Sequence, residues 1–433
     1  VVSTPTQTVT TRPMSLILAT SIIGTAIEWY DYFLYGNVAT LVFPHLFFPK
    51  ASVFVGTLLS LTTFLVGFIA RPIGAALFGH FGDRVGRKST LIITLLCTGI
   101  GTFLIGLMPG YNSIGIAAPI LISVMRFLQG LSIGGEWGGS VLLTVENTND
   151  QKRGFWASWP HVGLPLGLVL SSVAIAVFQS TTKAQFDVWG WRIPFLLSIV
   201  LVVIGLIIRI RLLETPMFAK LKQTQNIAQA PLVEAFKANW VQIFCSMGAK
   251  FVEQAPLYIF QSLLLVYGAT YLHLNKEMLI IGIAIGAFFE MFTLPMFSRL
   301  SDIIGRRRFY MIGSAVVFLY IIPYFLLLDT RNTALVILAI ILSFALSHGV
   351  VYGPEAALIV EQFPTRYRYS GAGIAYQLSA PLSGGLAPII AVYLLGAYHG
   401  AYAPVALFVM AIAIISFFAV LGLKERSRLK LAE

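Results

Sequence analysis

Charge is what this chain has least of. Only 11% of its 433 residues are Asp, Glu, Lys or Arg, against about a quarter in a soluble protein. That scarcity excludes a water-soluble domain of this size, because too little polar surface exists to cover a 57% hydrophobic content. Cysteine is nearly absent. Cys97 and Cys245 both sit in apolar runs and read as buried free thiols, not as a disulfide or a thiolate metal site. The chain also lacks an H-E-x-x-H helix, a glycine-rich P-loop and a nucleophile in a polar setting. No enzymatic activity, metal or cofactor is therefore expected. A cleavable signal peptide is not expected either: residues 1–13 are polar, and the apolar run that follows is too long for a signal core.

What the chain does have is long apolar runs. A membrane helix needs roughly 20 apolar residues. Twelve runs of that kind are read near 16–42, 53–81, 89–109, 114–144, 154–179, 190–212, 238–272, 278–300, 309–328, 333–361, 370–396 and 401–423. The expectation is an all-α membrane protein with twelve transmembrane helices in two pseudo-symmetric six-helix bundles. Its parts are an N-terminal tail at 1–15, a first bundle at 16–212, a linker at 213–237, a second bundle at 238–423 and a tail at 424–433.

Basic residues are unevenly shared between the two sets of loops. One side collects Arg12, Arg84, Arg87, Lys88, Lys152, Arg153, Arg209, Arg211, Lys220, Lys222, Lys237, Arg299, Arg306, Arg307, Arg308, Arg366, Arg368 and the tail cations. The other side holds only Lys50, Lys183, Arg192, Lys276 and Arg331. The positive-inside rule then places both termini in the cytoplasm of a multi-pass plasma-membrane protein. It also accounts for the net charge of +11 through a lipid bilayer, with no nucleic-acid partner.

A short basic turn occurs once in each half. Residues 79–88 contain Gly79, Asp83, Arg84, Gly86, Arg87 and Lys88, and residues 298–308 repeat the frame with Asp302, Gly305, Arg306 and Arg307. The two aspartates stand half a chain apart, which points to duplication. Gly86 and Gly305 suit a tight turn. The aspartates suit contacts with neighbouring helix N-termini or arginines, so the pair is expected to latch the two bundles.

The turn also serves as a ruler. Glu290 precedes Asp302 by as many residues as Arg71 precedes Asp83, and Glu136 and Glu355 are separated by the same half-chain interval. Glu28 and Asp31 are spaced i, i+3, as are Lys250 and Glu253. Twelve residues into a helix corresponds to about 18 Å of depth. A charge there costs at least ~2.5–3.5 kcal/mol unless it faces a cavity or a partner. One central polar cavity between the bundles is expected, with the halves differing in the sign of their charges.

These residues resemble the major facilitator superfamily, and within it the metabolite:proton symporter family. The superfamily's loop motif is matched by Gly79-x-x-x-Asp83-Arg84-x-Gly86-Arg87-Lys88, and its helix 4 motif by Arg126-x-x-Gln129-Gly130. The narrower match rests on Glu28-Trp29-Tyr30-Asp31-Tyr32, Arg71-Pro72-Ile73-Gly74, the run from Gln129 to Gly138, and Trp189-Gly190-Trp191-Arg192-Ile193-Pro194-Phe195. The resemblance implies import of a small polar metabolite, coupled to protons, by a chain expected to work as a monomer. The osmosensing branch of that family carries a C-terminal coiled coil. The lack of heptads before Glu433 argues against that branch.

Arg71 and Arg126 are the first candidates to hold a substrate carboxylate, because a guanidinium fork matches it. Lys250 is a further anion contact, and Tyr30, Tyr35 and Gln254 are candidate lining residues. Asp31 is the first candidate proton carrier, followed by Glu28 and Glu136. A zwitterionic osmolyte symporter and a proton-driven exporter of the same fold are the alternatives; the buried cations weigh against the exporter.

Overall fold

The computed structural model describes residues 14–148, 150–210 and 229–429. Within them the chain is helical and contains no strand. The first bundle comprises α1 (Met14–Leu41), α2 (Val53–Arg84), α3 (Arg87–Leu107), α4 (Ala117–Val145), α5 (Trp159–Thr182) and α6 (Arg192–Ile210). The second comprises α7 (Pro231–Tyr258, with further turns to Tyr271), α8 (Lys276–Ile304), α9 (Arg306–Asp329), α10 (Thr333–Val360), α11 (Thr365–Ala397) and α12 (Ala403–Leu421). These are twelve transmembrane helices in two six-helix bundles. Arg12, Arg211, Lys220, Lys222, most of the expected linker and residues 430–433 lie outside the described residues.

Ten of the helices are long and apolar enough to cross a membrane on length and composition alone. The other two, α1 and α7, have 28 residues each. Their apolar runs are diluted by Glu28 and Asp31 in one and by Lys250 and Glu253 in the other, and all four side chains are buried. α7 also starts at Pro231, ahead of its apolar run at 238. Its first two turns are an amphipathic stub that packs Leu232 and Phe236 on the core and pairs Glu234 with Arg366 at 3.1 Å, and the helix kinks at Asn239 before entering the bundle.

The repeated turn has one backbone solution. Gly86 joins α2 to α3 at φ 131°, and Gly305 joins α8 to α9 at φ 105°. A side chain at either place would force a conformation reserved for glycine, at a cost of order 1–3 kcal/mol. Gly86→Ala and Gly305→Ala should each lower the stability of the purified protein by about that amount, read as a lower denaturation midpoint.

Glycines also set how closely the helices approach. A Cβ on Gly130 or Gly134 of α4 would strike the backbone carbonyls of Gly67 and Arg71 on α2. One on Gly163 or Gly167 of α5 would lie 2.7 Å from a carbonyl oxygen of α1, that of Ile22 or Ala26. Small residues on facing helices permit this contact. It brings α2 and α4 together and so places Arg71 and Arg126 side by side.

Candidate functional site

The aspartate of each basic turn reaches across to the other bundle. Asp83 accepts hydrogen bonds from the Ser370 backbone N–H at 3.0 Å and the Ser370 hydroxyl at 2.7 Å, at the start of α11. Asp302 accepts from the backbone N–H groups of Gly154 and Phe155, both at 3.0 Å, in the short helix Arg153–Ala157 before α5. Both carboxylates thus cap the exposed N–H groups of a helix in the opposite half, where the helix dipole favours negative charge.

Arginines complete this latch. Arg306 pairs with Asp302 at 2.8 Å and with Glu361 at 3.2 Å, and Arg87 pairs with Glu146. Arg84, by contrast, is exposed and meets His80 at 3.2 Å. Gly79 backs onto Ser370, which leaves α2 and α11 in contact. Sequence reasoning missed the acceptors Glu146 and Glu361. Burial pushes the Glu361 carboxyl above its ordinary range, against the pull of Arg306 and Arg153.

The bundles also touch at the end away from the basic turns. Gln261 of α7 donates to Asn37 of α1 at 2.9 Å, and nearer mid-helix Phe68 packs edge-on against Tyr258 with centroids 5.1 Å apart. With both ends in contact, the centre retains a cavity of about 20 Å³ lined by Glu28, Trp29, Arg71, Glu136, Trp137, His161, Tyr376 and Gln377. That is room for a water molecule and no metabolite.

Arg71 and Arg126 lie fully buried on the first-bundle side of the centre. Their guanidinium carbons rest on aromatic faces. Arg71 sits 4.3 Å from the Tyr32 ring centroid and 4.6 Å from that of Phe68, and Arg126 sits 4.0 Å from Tyr35 and 4.6 Å from Tyr32. Stacking of this kind is a favourable cation–π contact. One arm of Arg126 donates to Gln129 at 2.8 Å, and Gln129 donates to Thr102 at 2.5 Å. Nε and Nη2 of both arginines have no hydrogen-bond partner among the described residues.

Asp31 is buried, faces Thr102 and Arg126, and has neither carboxylate oxygen hydrogen-bonded among the described residues. Glu28 lies against Glu136. Glu136 itself is fully engaged: Arg209 pairs with it, and Thr94 and Ser140 each donate to it at 3.0 Å. Arg209 is a correction to the sequence reading, which set it among the basic loop residues. It turns inward from α6, buried, because Glu136 and the Leu91 carbonyl both accept from it.

The remaining candidates divide. Tyr35 stays with the cluster and hydrogen-bonds Thr63 at 2.6 Å. Tyr30 does not join it; its hydroxyl donates to the Pro194 carbonyl at 2.9 Å, on the α6 side. Gln254 accepts from Ser383 at 2.9 Å and so faces α11. Lys250 lies 3.4 Å from the Tyr376 ring centroid and pairs with Glu253 at 2.5 Å and Glu355 at 3.5 Å. Tyr376 stacks on Trp137 of the first bundle at 3.7 Å, which brings Lys250 to the interface between the bundles.

The sequence profile of the Major Facilitator Superfamily matches residues 14–388. The chain belongs to the major facilitator superfamily. The inner membrane metabolite transport protein YhjE of Escherichia coli K12 is 40% identical over 390 residues, 87% of each chain. The shikimate transporter of the same strain is 37% identical over 412 residues, 94% of each. Among solved structures, the proton:xylose symporter XylE superposes with a TM-score of 0.74 over 94% of both chains, at 14% identity, which speaks for the fold. This superfamily member is thus a multi-pass membrane transporter of metabolites and not an enzyme.

Proposed function

We propose that this transporter is a proton-coupled symporter of the plasma membrane, both termini cytoplasmic, that imports a small carboxylate by alternating access. The observation that carries this reading is the pair Arg71 and Arg126. Two buried guanidiniums keep Nε and Nη2 without a hydrogen-bond partner among the described residues, carboxylates included. Leaving such donors dry is costly, and a planar carboxylate is the ligand that suits a guanidinium fork. The shikimate transporter, a relative by sequence, carries by its name a ring acid of this class.

The physical route to coupling is electrostatic. Asp31 faces Arg126, so a substrate carboxylate that occupies Arg126 weakens its hold on the Asp31 charge. Substrate and proton then favour each other's binding. The latch at the basic turns would hold one access route closed while the other opens.

The test is uptake of labelled shikimate by the purified chain in liposomes with an acid exterior. Wild type should accumulate the label about tenfold per pH unit for each coupled proton. Asp31→Asn should lose that accumulation and keep exchange of shikimate at equal pH. Accumulation by Asp31→Asn at the wild-type level would overturn its role, and indifference of the wild type to the gradient would overturn proton coupling.

A further inference from the structure

The second bundle contains a buried histidine that the sequence reading passed over. His348 ends the wide turn Ser343–His348 inside α10 and is buried. Its Nε2 lies 3.1 Å from Glu253 Oε1 on α7. Its Nδ1 is hydrogen-bonded to Glu290 Oε1 on α8. Both ring nitrogens therefore meet carboxylate oxygens.

Counting protons shows what this arrangement requires. Two N···O hydrogen bonds need two protons, and a neutral imidazole brings one. The second proton must sit on the ring or on one of the carboxyls. Glu253 already receives Lys250 at 2.5 Å through its other oxygen. The second oxygen of Glu290 has no hydrogen-bond partner among the described residues. The extra proton thus belongs between His348 and Glu290.

A second buried histidine provides the contrast. The Trp137 indole, a donor only, donates to His161 Nε2 at 3.0 Å. His161 Nδ1 then donates to the Tyr352 carbonyl at 2.8 Å. One proton satisfies that ring completely, so His161 is neutral by construction. Its ring stacks on Tyr352, which stacks in turn on His348.

The wider charge balance agrees. Glu355 pairs with Lys250 and accepts from the Tyr310 hydroxyl at 3.3 Å. Among the described residues, Glu253, Glu290 and Glu355 thus pair only with Lys250 and His348 as cations. With the extra proton one negative charge is uncompensated, and without it two are. An unpaired buried charge is unfavourable in a low-dielectric interior.

We propose that the Glu290–His348–Glu253 triad is a proton-binding site of the second bundle, and that its proton is exchanged during the transport cycle. The proposal rests on the proton-coupled reading above and adds a site to Asp31. Proton loss sets a nitrogen lone pair against a carboxylate oxygen and breaks one link among α7, α8 and α10. α7 also carries Lys250 and Tyr258 at the bundle interface, so the link is joined to the surface that must move. Wide turns such as Ser343–His348 can be sites of functional rearrangement.

The site is read first without any substrate. Purified protein labelled with nitrogen-15 in its histidine rings should show His348, assigned by its loss in His348→Gln, with two protonated nitrogens; otherwise an infrared band of a protonated carboxyl should vanish in Glu290→Gln. A singly protonated His348 with no such band, across the pH range the protein withstands, overturns the proposal. The transport arm uses labelled shikimate in liposomes. His348→Gln and Glu290→Gln should keep exchange at equal pH, which shows that they fold, and should lose the share of accumulation that this proton drives, about tenfold per pH unit. If both variants accumulate like wild type, the exchange of this proton is overturned; if wild type itself exchanges shikimate but ignores the gradient, the coupled reading fails while the proton count stands.

Discussion

Replacing Arg126 with alanine is expected to weaken substrate binding by about 2–5 kcal/mol, the usual cost of removing one partner from a buried charged contact. At 1.4 kcal/mol per factor of ten that is roughly 30-fold to several thousandfold in affinity. The fold should nevertheless survive. Arg126 gives one hydrogen bond to Gln129 and rests on Tyr32 and Tyr35, yet Nε and Nη2 bond nothing among the described residues. Asp31 loses the cation it faces, so part of the change falls on stability. Ligand-induced thermal stabilisation separates the two effects, since it follows affinity for the folded state. Wild type should be stabilised by shikimate and not by its methyl ester. Arg126→Ala should respond to neither while still melting as a folded protein. Arg126→Lys keeps the charge and loses the fork and the ring stacking, so it should recover binding only in part. Full stabilisation of Arg126→Ala by shikimate would rule out the carboxylate contact.

Arg209 should give the opposite result. It is also buried, but it pairs with Glu136 and donates to the Leu91 carbonyl. Arg209→Leu leaves Glu136 without its cation beside Glu28, and breaking a buried pair in this way costs about 3–5 kcal/mol. Expression and denaturation midpoint should fall sharply. Arg209→Leu with Glu136→Gln should restore much of the loss, because the orphaned charge is gone. A stable single variant would show that the pair contributes nothing to the fold. The two arginines are expected to differ for one physical reason: a buried charge paired within the protein supports structure, and one with open donors is the proposed contact for a ligand.

Most of the architecture was legible in the sequence. Hydropathy reports membrane spans directly, since a helix in lipid must bond its own backbone and cover itself with apolar side chains. The duplication was legible because Asp83, Gly86 and Arg87 recur as Asp302, Gly305 and Arg306. The glycines recur for a backbone reason, their positive φ. The charges within α1 and α7 stood out against apolar surroundings.

The partners of those charges were not legible. Arg209 sits near the end of its apolar run, where a snorkelling cation and a buried one look alike. His348 is a lone histidine, and only the convergence of α7, α8 and α10 shows that both its nitrogens face carboxylates. Glu146 and Glu361 lie at helix ends among ordinary loop residues. Tyr30 shares a motif with Asp31 but faces the other side of α1.

The sequence by itself determined an all-helical, duplicated membrane chain with ionisable groups at matched depths, because hydropathy and spacing are local properties that lipid selects directly. Only the tertiary structure decided which of those groups are neutralised and which are left open. Pairing depends on distances between residues up to hundreds of positions apart, such as Asp83 with Ser370. In a low-dielectric interior those distances fix where charge can remain and where a proton must be held.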